Sequence, residues 1–282
     1  MKSESKSLEI SCYVLGAGAF GVFFRWMQLQ LAYNDNNLPD RSVWNILVPV
    51  LIIIGAFVFA RFVKKVKKEK LYLPGDFFSA LRNDSKLFMI CRWAIGGIMI
   101  IGSIYLFASC ETDRNVVFLK ILAGFGILTG IAFPLLLTMA NKPHVSGTSV
   151  TLFSIIPIFF YATWLLTSYK QNSINPVPWD YAIEIITIAL ALVAAFRVAG
   201  FAYGIPNMEK SMFFSMMAGM MCVMSLADTR YLAQQIMLGA SAAMFIMYNW
   251  IMVSNLQHRK YKNDEDNSED YESDEGFERL DG

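Results

Sequence analysis

Long apolar runs separated by short polar breaks dominate the chain. Most are about 17 to 25 residues long, which is what an α-helix needs to cross a bilayer core. They predict spans at 10–33, 43–63, 87–108, 117–140, 149–169, 180–203, 211–227 and 231–254. The runs are apolar on most sides rather than alternating, so membrane-spanning strands of about ten residues do not fit them. The expected fold is all-α, a polytopic transmembrane helical bundle of about eight spans. Residues 1–257 would form the bundle, with a basic loop at 61–86, and 258–282 an acidic tail. The first run extends from Leu8 to Tyr33 without a small-x-small cleavage pattern, so it reads as a retained span, not a signal peptide.

Composition agrees with the pattern. Of the 282 residues 55% are hydrophobic and 17% charged, against about a quarter charged in soluble domains. Mean hydropathy is +0.42. A net charge of +1 supplies no field toward nucleic acid. The four cysteines, Cys12, Cys91, Cys110 and Cys222, lie far apart and offer neither a disulfide framework nor a zinc site.

The charges are segregated, and this sets orientation. Arg61, Lys64, Lys65, Lys67, Lys68, Lys70, Arg82 and Lys86 cluster between spans two and three. His258, Arg259, Lys260 and Lys262 follow span eight. By the positive-inside rule both clusters are cytoplasmic, which puts both termini inside. The breaks at 34–42, 109–116, 170–179 and 228–230 then lie outside, with only Arg41, Arg114, Lys170 and Arg230 as their basic residues. Asn83-Asp84-Ser85 matches a glycosylation sequon but falls on the inner side and is rejected.

Within the basic loop, Pro74-Gly75-Asp76 suggests a turn and helix start. Phe77, Phe78 and Leu81 then predict a short helix over 76–86 at the inner lipid surface. Lys64, Lys65, Lys67 and Lys68 would face the lipid and attract anionic headgroups, or serve only to fix orientation. The tail from Asn263 is acidic and expected to be disordered.

Charged residues inside spans are the most informative feature, because lipid makes them costly. Arg92, Lys120 and Arg197 lie near span ends and can snorkel. Arg25 is deeper, and Gln28 shares its helix face. Glu184 and Thr187 in span six, with Gln234 and Gln235 in span eight, lie at comparable depth. The expectation is an outward-facing cluster of Arg25, Gln28, Glu184 and Gln234, with Glu184 as the partner of Arg25. Such a cluster is either a structural ion pair or a binding vestibule for a small solute.

Other patterns are weaker. Gly16-Ala17-Gly18-Ala19-Phe20-Gly21 fits GxGxxG but lies in an apolar helix with no preceding strand, so it reads as helix packing. Gly124, Gly126 and Gly130 read likewise. Met212, Met216, Met220 and Met224 form a stripe in span seven; adaptable packing explains it better than a soft-metal path. Pro49, Pro134 and Pro157 interrupt spans. His144 and His258 read as solvent-exposed residues without metal-ligand companions. Hydrolase, P-loop and HExxH motifs are absent, so neither an enzyme nor a cofactor is expected.

Phe24-Arg25-Trp26-Met27-Gln28, followed by Leu38-Pro39, resembles bacterial multi-span proteins without an assigned activity. The resemblance covers mainly the first span and its outer loop. It implies a bacterial cytoplasmic membrane and carries no catalytic residue across. The leading expectation is a small-solute transporter. The alternative is a non-enzymatic scaffold or sensor that recruits a partner through the basic loop and acidic tail.

Overall fold

A computed structural model describes residues 2–32, 42–111, 113, 115–142, 147–172, 178–228 and 230–258, with side chains left aside at 2–6, 178–180 and 258. The acidic tail, His144, Arg41, Arg114 and Leu38-Pro39 lie outside the described residues. Eight helices are long and apolar enough to span a membrane. They are α1 (Lys2–Leu31), α2 (Trp44–Lys68), α4 (Lys86–Ser109), α5 (Val116–Ala140), α6 (Gly147–Asn172), α7 (Pro178–Ala202), α8 (Met208–Met224) and α9 (Leu232–Ser254). A single turn, α3 (Phe77–Ala80), lies between α2 and α4. The chain is an all-α polytopic membrane protein.

Helices α4, α5, α6 and α7 pack in chain order, and α7 rests on α8. Helix α9 touches α1, α4 and α8, while α2 sits outermost against α1 and α8. The most buried spans are therefore α8 and α9. The methionine stripe explains part of this: Met212, Met216, Met220 and Met224 are all fully buried, their unbranched thioethers filling gaps between helices. Outward-facing Ile46, Ile53 and Phe57 on α2, and Leu87, Ile90 and Ile101 on α4, are exposed. Such a surface suits lipid, not water.

Small residues permit close crossings. Gly18 faces Val223 and the Met220 carbonyl, and Gly21 faces Met224, so the GxGxxG stretch is a packing face between α1 and α8. Gly126 and Gly130 pack on Ser103, Gly96 and Ile100 of α4, whereas Gly124 meets nothing. Buried hydroxyls and amides turn onto their own helices. Thr187 donates to the Ile183 carbonyl (2.7 Å), Ser241 to Met237 (2.9 Å) and the Asn249 amide to Phe245 (3.0 Å). Each answers a carbonyl four residues back and keeps the core dry.

The lysine-rich end differs from the expectation. Helix α2 continues to Lys68, so Lys64, Lys65, Lys67 and Lys68 are exposed side chains of a helix end, not a loop. Lys67 pairs with Glu209 at 2.8 Å. The helix expected over 76–86 is only α3, capped by Asp76, whose carboxylate accepts from the Ser79 N–H. Phe77, Ala80 and Leu81 are buried under the bundle, not laid on lipid. Side chains from other helices hold the segment there. The Asn255 amide donates to the carbonyls of Ala80 and Arg82, both at 2.9 Å. Asn141 accepts from the Asn83 N–H at 3.0 Å and donates to its carbonyl at 2.7 Å. Two short strands, β1 (Leu71–Tyr72) and β2 (Gln257–His258), pair antiparallel and tie this segment to the end of α9.

Arg92 also departs from the snorkelling expectation. It is buried, and its Nη1 donates at 2.9 Å to the Leu137 carbonyl. That carbonyl belongs to the last turn of α5, where helix carbonyls lack intrahelical donors and the dipole favours a cation.

A Cβ at Gly96 would run into the Gly130 carbonyl, whereas one at Gly97 meets nothing. Gly96→Ala is therefore expected to destabilise by about 1–3 kcal/mol through overpacking. Gly97→Ala should be neutral or slightly stabilising; thermal unfolding of the two variants in detergent checks the contrast.

Candidate functional site

At the end opposite the lysines, the chain between α8 and α9 folds inward. A 3₁₀ turn, Ser225–Ala227, closes α8 and leads to Asp228 in extended conformation. Ser225, Asp228 and the Arg230 side chain are all buried. The Ser225 hydroxyl donates to Asp228 Oδ2 at 2.8 Å, and the Gln235 amide donates to the Asp228 carbonyl at 3.0 Å.

Two arginines converge on this carboxylate. Arg25, 0% exposed, donates from Nε to Asp228 Oδ1 at 2.6 Å. Arg230 donates from Nη2 to Oδ2 at 2.7 Å and to the Ser225 hydroxyl oxygen at 2.8 Å. Arg25 Nη1 also donates to Gln28 at 2.7 Å, and the Gln28 amide donates to Asn45 of α2 at 2.9 Å. One buried carboxylate thus joins α1, the 3₁₀ turn and the start of α9, and Gln28 extends the network to α2.

This corrects the expected pairing. Glu184 is not the partner of Arg25; Asp228 is. Glu184 Oε2 lies 3.8 Å from Arg230 Nε, and its Oε1 accepts a short hydrogen bond from the Ser168 hydroxyl of α6. Arg25 and Gln28 do come together, as expected from their spacing, but in a closed interior. Glu184 and Gln234 do face one place. They line an open cleft of about 440 Å³ together with Gln171, Asn172, Arg230 and Tyr231. The Gln234 amide donates to Gln171 at 3.4 Å. The sequence reading missed Asp228, Arg230 and Ser225 because the break at 228–230 looked like a bare outer loop. The available signal was an acid and a base two residues apart in a break too short to leave the helix ends.

Below the cleft the bundle is sealed. On α6 the face carrying Gln171 and Ser168 continues to Trp164, Tyr161 and Phe160, all 0–1% exposed. Phe160 packs edge-on against Trp164 at 5.3 Å, and Tyr161 stacks on Phe245 at 5.6 Å. Beyond them, toward the lysine end, lies a narrow gap of about 10 Å³ bordered by Phe77, Pro157, Val198 and Tyr248. Among the described residues no group of three His, Cys, Asp or Glu side chains gathers as metal ligands.

At the rim, Tyr231 donates from its hydroxyl to Asp113 at 2.6 Å. That hydrogen bond, with burial adding, holds the phenol above its ordinary value.

Comparison with protein-family models, with curated proteins and with solved structures finds no match to this chain.

Removing one member of a buried ion pair costs about 3–5 kcal/mol, because the other charge remains buried. Asp228→Ala strands two arginines and is expected to lower stability more than Arg25→Met does. The double variant should cost less than the sum of the single ones; melting curves in detergent measure this coupling. A second expectation concerns alkaline pH. The Tyr231 phenol has a raised folded value, so its contribution is fully present below the ordinary value of 10.0 and is lost as pH climbs through the folded value. Tyr231→Phe should remove that component from the pH dependence of unfolding.

Proposed function

We propose that this membrane protein is a permease for small polar solutes, represented with its cleft open at the end opposite the lysines and sealed at the other. The observation that carries the reading is Arg230. Its side chain is buried and borders the cleft, yet among the described residues Nε and Nη1 have no hydrogen-bond partner. Unmade donors on a buried cation cost free energy that a bound solute would recover. Carboxamides from Gln171, Asn172 and Gln234 add neutral donors and acceptors, while the aromatic layer below excludes water. A solute with an anionic group would enter at Arg230, not at Arg25, which serves as the anchor behind the cleft wall. Pro157, beside the gap near the lysine end, cannot donate to the Phe153 carbonyl and gives α6 a place to bend as that end opens. The reading assigns binding and passage, with no bond-making step.

Orientation belongs to the same proposal. The exposed lysines on α2 put that end inside by the positive-inside rule, so the cleft faces outward. The same lysines favour contact with anionic headgroups, and they are also the feature that supports the second reading, a scaffold or sensor that recruits a partner at the lysine end.

Cysteine labelling tests the cleft. In a chain lacking Cys12, Cys91, Cys110 and Cys222, Asn172→Cys should react with a membrane-impermeant maleimide from the side opposite the lysines. Leu238→Cys, one helical turn below Gln234 and 1% exposed, should not. Equal reactivity at the two positions would rule out an open cleft with a sealed floor. Uptake into proteoliposomes of any solute that stabilises the chain should fall about tenfold or more in Arg230→Lys, since a guanidinium and an ammonium present different donors.

A further inference from the structure

The cleft wall carries opposite charges side by side, paired by charge but each with hydrogen-bonding capacity left over. Glu184 Oε1 holds the Ser168 hydroxyl, but Oε2 has only the Arg230 Nε contact at 3.8 Å, beyond hydrogen-bond length. Arg230 commits Nη2 to Ser225 and Asp228 and leaves Nε and Nη1 open. A simple anion would complete Arg230 but would lie against the Glu184 carboxylate, where like charges repel. A simple cation would complete Glu184 but would meet the guanidinium. A solute with a carboxylate and an ammonium on one carbon answers both groups at once.

We infer that the cleft selects small zwitterions of the amino-acid type. The carboxylate accepts from Arg230 Nη1, and the ammonium donates to Glu184 Oε2. The remainder of the solute meets Gln171, Asn172 and Gln234, whose carboxamides both donate and accept and so favour a short polar side chain over an apolar one. Arg25 takes no part, because Asp228 already occupies its Nε and Gln28 its Nη1. This inference rests on the cleft reading above and deepens it from a solute with an anionic group to a dipolar one.

The purified full chain in detergent would be titrated with glycine, L-alanine and L-glutamine, and in parallel with propionate and n-propylamine, while thermal unfolding is followed. At least one of the three zwitterions is expected to bind about tenfold or more tightly than either singly charged compound, as losing a hydrogen bond to a charged group implies. Glu184→Gln should lose this preference and accept propionate as well as the zwitterion. Propionate binding the unaltered chain as tightly as the zwitterions would overturn the inference while leaving an anion-binding cleft in place. No stabilisation by any of the zwitterions would overturn it too, and the cysteine labelling then decides separately whether the cleft exists. If Glu184→Gln does not fold, the comparison on the unaltered chain still decides.

Discussion

A carboxylate shared between two arginines, all of it buried at the end of a membrane bundle opposite the lysines, constrains everything around it. Asp228 is on hand only because α8 ends in a tight 3₁₀ turn that drops the chain inward. Arg25 is held in α1 with Asp228 and Gln28 taking its Nε and Nη1 donors. An arginine in that environment without partners would cost several kcal/mol. The pairing therefore fixes the depth of α1 relative to the α8–α9 turn. Since Arg230 is held by the same carboxylate, it also fixes where the remaining donors of Arg230 point. The cleft and the anchor are two sides of one network.

Much of the fold was legible in the sequence, for physical reasons. Lipid requires spans of uniform length, so runs such as 43–63 or 117–140 announce themselves. Gly18, Gly21, Gly126 and Gly130 could be read as close-crossing points because small residues in apolar helices have few other uses, whereas Gly16 and Gly124 meet nothing. What failed was anything that depended on which helices meet. The depth of Glu184 suited a contact with Arg25, but depth says nothing about azimuth. Arg230, placed in a loop by the hydropathy pattern, stands between the two. The helix expected over 76–86 failed for a related reason. Its periodic Phe77 and Leu81 show that a face is buried but not whether lipid or protein buries it, and Asn255, far along the chain, decided for protein.

The contrast between the two ends of the molecule is chemical as well as geometric. Below the cleft, buried polar groups such as Thr187, Ser241 and Asn249 bond to their own helices. Their donors are used within their own helices rather than between helices. At the cleft the polar groups bond between helices, through Asp228, Glu184 and Gln28. Toward the lysine end Arg92 caps α5 from α4, and Ser211 of α8 donates to the Arg197 carbonyl of α7.

The most buried helices, α8 and α9, follow the other six spans in the chain, and the strand β2 and Asn255 follow them. During synthesis the first six spans reach the bilayer before the helices they surround exist. Arg25 enters without Asp228, and the 69–85 segment without Asn255 and β2, which help Asn141 hold it in place. The early spans must therefore wait loosely associated, with polar faces shielded by water, lipid headgroups or the insertion machinery, until α9 arrives. Assembly is completed from the inside by the late spans, which makes maturation sensitive to truncation far from either the cleft or the lysines.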